Sequence, residues 1–260
     1  MKTNATAPVF IGGTNGSGTR VYAQLLESAG VFQGAEKNYA FEPTNLIHYT
    51  KRQTPRLLRL TRSPTYNVSS LPETFRKTME AWILQFGIQV QNERPEGYSR
   101  WGWKHPRNLF LVPLLDKVFS DCYFIQVIRD GRDMALADNK GDVRKFYRYL
   151  VSPDQTDPDP VACTSFWSTV NSDVADWSET HLGARFIWSR FEDLCADPRG
   201  ELRRITEAIG VELHPSLSQE CLDRVHTPPS LGRWRATAKD MQAKLRNAGA
   251  AGLTRFGYGA

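Results

Sequence analysis

The stretch Pro8-Val-Phe-Ile-Gly-Gly-Thr-Asn-Gly-Ser-Gly-Thr-Arg20, running on to Gly30, constrains this chain more than any other. Val9, Phe10 and Ile11 form an apolar run without helical spacing, which suits a buried strand. Residues 12–18 are small or turn-prone, and Leu25 and Leu26 then report a helix that Gly30 stops. A strand, a glycine-rich loop and a helix in that order aim backbone N–H groups and a positive helix end at one point, which suits phosphate. Gly12, Gly13, Gly16 and Gly18 allow close backbone approach, the amides of residues 15–20 are donors, and Ser17 and Thr19 add hydroxyls. Gly13, Thr14, Asn15, Gly16, Ser17, Gly18, Thr19 and Arg20 are the candidate binding residues. A glycine-rich connector without a ligand is the plainer alternative, and the flanking strand and helix weigh against it.

From Gly13 the spacing Gly-x-x-x-x-Gly holds to Gly18, but Thr19-Arg20 stands where a nucleoside-triphosphate loop needs Lys-Ser or Lys-Thr. The Lys would neutralise β and γ phosphates and the hydroxyl would hold Mg²⁺, so the ATP-specific parts are absent. A second segment supplies context. Cys122-Tyr-Phe-Ile-Gln-Val-Ile128 is a β-rich run, followed by Arg129-Asp-Gly-Arg-Asp133 and the helix-favouring Met134-Ala-Leu-Ala137. Arg129 therefore falls at the carboxyl end of a strand, the edge where α/β sheets bind ligands. A guanidinium there can hold a second phosphate with parallel N–H bonds. Surface pairs Arg129–Asp130 or Arg132–Asp133, worth little, are the alternative. Taken with the first loop, the anion site is the better reading.

Ile11 to Arg20 and Ile128 to Met134 resemble the two cofactor motifs of the PAPS-dependent sulfotransferases, PAPS being 3′-phosphoadenosine 5′-phosphosulfate. In that family the first loop holds the 5′-phosphosulfate and the second segment the 3′-phosphate. Three further pieces are similar: Trp103-Lys-His-Pro106 ahead of a helix, Arg190-Phe-Glu-Asp-Leu194 followed by Asp197-Pro198, and Gly232-Arg-Trp-Arg235. Together they run from residue 9 to residue 258. The resemblance implies a P-loop-like α/β fold, a single domain over residues 1–260 with a central parallel β-sheet flanked by helices. It also implies PAPS as donor, PAP as product, no metal, and in-line sulfuryl transfer to an acceptor hydroxyl with a general base.

Departures from the family pattern select further candidates. Gly16 sits where the family usually carries a Lys or Arg touching the sulfuryl group, and Arg20 and Lys104 are the candidates to replace that charge. Ala137 sits where a Ser commonly assists Arg129, and Phe191 replaces a frequent Tyr. For the base, His105 follows Lys104 in a segment similar to the Lys and His segment of cytosolic sulfotransferases, one residue tighter here. Its rivals are Glu42 and Glu36, because several glycan and tyrosine sulfotransferases use a Glu from the segment after the first helix. A His before Pro is also a common loop residue, and an exposed Glu is usually solvated. Arg233 and Arg235 could reach the 3′-phosphate with Trp234 covering the adenine. Alternatively, Trp234 packs under a C-terminal helix with its Arg neighbours solvated.

At 260 residues and 40% apolar, the chain suits one globular domain. A net charge of +5 fits a bisphosphorylated nucleotide and an anionic acceptor, and is too mild to argue for nucleic acid. The four cysteines form no CxxC pair and share no His spacing, so neither a zinc site nor a disulfide framework is expected. The first seven residues lack an apolar stretch and no apolar run is long enough to span a bilayer, so the expected location is cytoplasmic.

Elsewhere, Ser70-Leu-Pro-Glu73 has a capping-box pattern, and Phe75, Met79, Trp82, Ile83, Phe86 and Val90 recur at helical spacing as core. Helices are also expected over 107–119, 161–181 and from Asp197-Pro198 to Ile209, with a strand over 185–189 and a loop over 152–160. Strands alternating with helices imply a parallel sheet. Lys51, Arg52, Arg56, Arg59 and Arg62 fall within 43–72, where no acid separates Pro43 from Pro72. A solvated basic face is expected there, a mobile lid that recruits an anionic acceptor being the alternative. Two rival functions remain: a P-loop nucleotide kinase, disfavoured by Thr19-Arg20, and a non-catalytic nucleotide-binding module in which Gly16 and Ala137 record lost chemistry. Acceptor identity and oligomeric state are not encoded in these motifs.

Overall fold

The protein is described by a computed structural model over residues 7–138, 140–153, 155, 157–213 and 219–259. Among these residues five strands form one sheet: β1 (Val9–Gly12), β2 (Val31–Phe32), β3 (Arg100–Lys104), β4 (Tyr123–Ile128) and β5 (Phe186–Arg190). Their order is β2-β3-β1-β4-β5, and every neighbouring pair is parallel. Parallel neighbours need crossovers, and helices supply them. These are α1 (Thr19–Ser28), α2 (Thr44–Thr61), α3 (Glu73–Glu93), α4 (Asn108–Val118), α5 (Gly131–Ala135) and α6 (Gly141–Leu150). The second half adds α7 (Pro160–Leu182), α8 (Phe191–Ala196), α9 (Pro198–Ala208), α10 (Gln219–Asp223) and α11 (Lys239–Arg255). This is the expected single α/β domain with a parallel sheet flanked by helices.

Side chains alternate across the sheet and feed two cores. Phe10, Trp103 and Phe124 join Met79, Ile83 and Phe86 of α3 and Leu114 of α4 on one face. Val9, Ile11, Ile125 and Val127 join Tyr22 and Leu26 of α1 and Leu202 and Ile205 of α9 on the other. Burial on both faces is what keeps an all-parallel sheet stable. The α3 stripe is core, as its spacing predicts, with Trp82 partly buried and stacked on Tyr49 at 3.6 Å between ring centres.

The structure departs from sequence expectation at three places. The capping box at Ser70 does not form: Asn67 accepts from Ser69 N–H and caps a 3₁₀ turn over Val68–Ser70, leaving Leu71 extended and α3 to begin after Pro72. The basic stretch is largely a helix, α2, anchored by Leu46, Thr50, Thr54, Leu57 and Leu58. Threonines at two of those inward positions conceal the helical period. Strand β3 was not anticipated either, because Arg100-Trp-Gly-Trp-Lys104 has charged ends and a central glycine.

That glycine permits the strand pairing. A Cβ at Gly102 would lie 1.8 Å from the Val9 carbonyl oxygen, backbone that has no room to yield. We predict that Gly102→Ala costs about 3 kcal/mol of unfolding free energy by chemical denaturation, the upper end of ordinary overpacking. Gly259→Ala, where a Cβ meets nothing within 4 Å, should be neutral. A Gly102→Ala midpoint equal to that control would refute the close-approach argument.

Candidate functional site

The carboxyl ends of β1, β3 and β4 meet at one edge of the sheet, where the strand order passes from one side of β1 to the other. Two hydrogen bonds tie the first two ends together: His105 N–H donates to Ile11 C=O at 3.1 Å, and Gly13 N–H donates to Pro106 C=O at 3.3 Å. Asn108 Nδ2 adds a third, to Ile11 C=O at 3.0 Å, while its Oδ1 accepts from Trp103 Nε1. The glycine-rich loop leaves β1 from this fixed point.

The loop has the form its sequence predicts. Ser17 N–H donates to Thr14 C=O at 3.0 Å, closing a turn, and Gly16 and Gly18 take φ of +92° and +96°. Gly18 is doubly required, since a Cβ there would also run into the Phe191 ring at 2.4 Å. Phe191, at the start of α8, thus packs beneath the loop. Ser17 Oγ is buried, with no hydrogen-bond partner among the described residues. Thr19 and Arg20, the first residues of α1, have amides with no intrahelical acceptor. Unpartnered donors converging on a helix start suit an oxyanion.

Across from the loop, Lys104 at the end of β3 is 2% exposed and donates to Glu42 Oε1 at 2.8 Å and to Ala40 C=O at 2.9 Å. Burial lowers the Lys104 pKa; Glu42 opposes that shift and the Arg20 guanidinium adds to it. Glu42 is presented by a tight loop. Asn38 Oδ1 accepts from both Ala40 N–H and Glu42 N–H, Asn38 N–H donates to Glu42 C=O, and Phe41 sits at φ +62°. Left-handed backbone at a bulky residue is a strained state that the surrounding bonds must hold.

His105 is walled in. Its Nδ1 accepts from Arg107 N–H at 3.0 Å, so the proton resides on Nε2, 3.2 Å from Thr50 Oγ1 of α2. Burial, then Arg107, Lys104 and Lys51, push its pKa well below the usual range. A neutral imidazole with both nitrogens engaged positions its neighbours. Glu36, the other acid considered, is exposed and lines a shallow depression with Pro43 and Val90 beside α3, away from Lys104.

Loop, Glu42 and Lys104 share one cleft of about 720 Å³, lined also by Arg20, His48, Lys51, His105, Arg107 and Asp142. Asp142 of α6 binds Arg107 through Nη2 at 2.8 Å and Nε at 3.3 Å. Of the basic residues in α2, only His48 and Lys51 reach the cleft. Arg56 lies over Phe75, and Arg59 and Arg62 lie against Tyr149.

Arg129 follows β4 and reaches the loop itself: Nη1 donates to Gly16 C=O at 3.3 Å and Nη2 to Ser230 Oγ at 2.7 Å. Its Nε is buried without a partner among the described residues. The glycine-rich loop and the segment after β4 are therefore in direct contact. Arg233 donates to Leu136 C=O at 3.3 Å, beside Ala137. Sequence reasoning missed Asp133, whose two carboxylate oxygens accept from Gly232 N–H and Trp234 N–H and so hold the 230–235 segment near Arg129. Burial raises the Asp133 pKa and those two amides oppose the shift. Trp234 does not line the cleft beside the glycine-rich loop. It is 7% exposed, packed with Ala135, Cys163 and Leu245 and stacked on Arg132 at 3.8 Å. Arg235 is exposed over the same ring and lines a separate depression with Arg132 and Tyr258. Packing against Leu245 and Met241 of α11 accounts for Trp234.

Among the described residues no cluster of metal-ligating side chains occurs and no helix is long and apolar enough to cross a membrane. A search of proteins with curated functions finds no significant match. The sulfotransferase domain of a Synechococcus olefin synthase superposes with a TM-score of 0.57 at 18% identity, covering 100% of this chain and 97% of that one. The sulfotransferase domain from the curacin biosynthetic pathway gives 0.58 at 14% identity, covering 98% of each chain. Mouse sulfotransferase SULT7A1 complexed with PAP gives 0.51 at 13% identity, covering 95% of this chain and 85% of that one. At such identities these similarities show a common fold. The model of the sulfotransferase family matches residues 8–215, most of the sequence, with the loop, Glu42, Lys104 and Arg129 all inside that match. This chain belongs to the sulfotransferase family.

Proposed function

We propose that the protein moves a sulfuryl group from PAPS to the hydroxyl of an acceptor bound in the cleft beside Glu42. One observation carries this reading: the glycine-rich loop and the Glu42–Lys104 pair face the same cavity, so anion-holding donors and a carboxylate converge on one space. A mouse member of the fold was crystallised with PAP, which supports the choice of nucleotide.

The residues present fit such a donor. Ser17 Oγ and Arg129 Nε are buried polar atoms awaiting acceptors, and a Cβ at Gly16 would meet nothing nearer than 4.0 Å. When bound, PAPS supplies the activated sulfuryl group. Ser17 Oγ with the amides of Thr19 and Arg20 would hold the 5′-phosphate side, and Arg129, assisted by Ser230 and Arg233, would hold the 3′-phosphate. Ser230 Oγ stands beside Arg129, where it can replace the hydroxyl that Ala137 lacks. Lys104 and Arg20 would supply, beside the transferring group, the positive charge absent at Gly16.

Glu42 takes the acceptor proton. Its Oε1 is held by Lys104, and Oε2 lies 3.9 Å from His105 Nε2. His105 orients this wall through Thr50 and the Arg107 amide, and neither ring nitrogen is left to accept a proton from substrate. The kinase alternative is disfavoured because Arg20 occupies the position that needs a Mg²⁺-binding hydroxyl.

Two outcomes check this reading. PAP should raise the unfolding free energy by about 2.7 kcal/mol at a hundredfold excess over its dissociation constant, whereas ATP with Mg²⁺ should leave it unchanged. Ser17→Ala and Arg129→Ala should each weaken PAP binding, and stabilisation by ATP–Mg²⁺ instead would favour the kinase. Separately, Glu42→Gln should reduce kcat by about 10²–10⁴ while PAP affinity stays within threefold, as removal of a general base requires. Turnover close to wild type in that variant would remove Glu42 from the role.

A further inference from the structure

We propose that the acceptor carries an anionic group close to the hydroxyl that is sulfated, and that Lys51 on the α2 wall of the cleft holds it. This deepens the sulfotransferase reading and rests on it.

The inference comes from the charge balance inside the cleft. Four cations line it, Arg20, Lys51, Lys104 and Arg107, against two acids, Glu42 and Asp142. Each acid is committed, Glu42 to Lys104 and Asp142 to Arg107, both at 2.8 Å. Arg20 and Lys51 form no ion pair among the described residues. Arg20 opens α1 next to the loop and so serves the phosphate side. Lys51 belongs to α2, on the wall that also carries Thr44, Ile47 and His48, rather than to the glycine-rich loop or the segment after β4.

A basic run is ordinarily a solvated face, but α2 separates its cations. Arg56, Arg59 and Arg62 rest on aromatic rings outside the cleft, and Arg52 is exposed and does not line it. Lys51, itself exposed, is therefore the one cation of that run, Lys51 to Arg62, that lines the cavity. A second observation reinforces the sign. Arg107 is 6% exposed, lines the same cavity, and keeps Nη1 buried without a partner after its bonds to Asp142. The acceptor side thus holds an unneutralised ammonium and an incompletely satisfied guanidinium. It also holds Glu42, whose repulsion of an anion Lys104 offsets. A carboxylate, sulfate or phosphate oxyanion is the ligand chemistry that completes this set.

The test uses acceptors in matched charged and neutral pairs: 4-hydroxybenzoate with its methyl ester, and p-nitrophenyl β-glucuronide with p-nitrophenyl β-glucoside. Radiolabelled sulfate transfer from PAPS is measured for the wild type, Lys51→Glu, and the neighbouring control Arg52→Glu. The charged member of at least one pair should be favoured tenfold or more in kcat/KM. Lys51→Glu should abolish that preference through KM, and Arg52→Glu should preserve it. Raising salt from 50 to 500 mM should raise KM for the acid and spare the neutral partner. PAP binding, followed by thermal shift, should be unchanged in both variants. Equal or better use of the neutral members overturns the proposal, as does PAP binding without turnover of any acid, or loss of the preference in Arg52→Glu alone. Absence of PAP binding in the wild type overturns the underlying reading instead.

Discussion

The crossing of the chain between β1 and β3 is the constraint on which the site depends. His105 N–H to Ile11 C=O and Gly13 N–H to Pro106 C=O join the last residues of two adjacent strands. Parallel pairing puts Ile11 opposite Lys104, so the ammonium and the glycine-rich loop leave the sheet side by side. The approach requires Gly102, because Val9 backbone fills the space a side chain would need. Remove that contact and loop, Lys104 and Asn108 lose their common reference frame.

Electrostatics and packing are divided between the two sides of the cleft. On the loop side the polar groups are unpartnered: Ser17 Oγ and Arg129 Nε are buried donors, and the first amides of α1 point outward. On the other side the charges are paired, Lys104 with Glu42 and Arg107 with Asp142, in positions where breaking one partner would strand the other. One side is arranged to receive charge from outside. The other is arranged to hold a carboxylate in place next to a buried lysine.

Much of this was legible in the sequence where chemistry and local structure coincide. The loop, the strand before Arg129 and the α3 stripe combine a distinctive composition with a regular period. Lys104, Glu42 and Arg129 were all identified, and the structure brings each to the same edge of the sheet. What escaped is what depends on distant partners. Asp133 holds residues about a hundred positions away, and Thr50 of α2 meets His105 beyond β3, neither with a local signature. Helix α6 was hidden because only Asp142, Phe146 and Tyr147 of its residues are buried. Helix α11 was expected only as a C-terminal helix without bounds, since Gly249 and Gly252 look like helix breakers; they let it approach Thr164, Trp167 and Ser168 of α7 closely. Trp234 was ambiguous for a related reason: an aromatic between arginines reads equally well as a lid or a wedge until its neighbours are known.

The loop that presents Glu42 is shaped from within by Asn38 and its own backbone, and is tied to α1 by Lys37, which binds Glu27 as well as Gly34 C=O and lies over Phe41. It meets β3 where Ala40 C=O and Glu42 take the Lys104 ammonium, and Phe41 packs against the core beneath α1. Glu42 is therefore carried by a loop whose shape is set by its own hydrogen bonds and whose place is set by the sheet. Sequence change there can remodel the cleft wall only as far as the clasp on Lys104 survives.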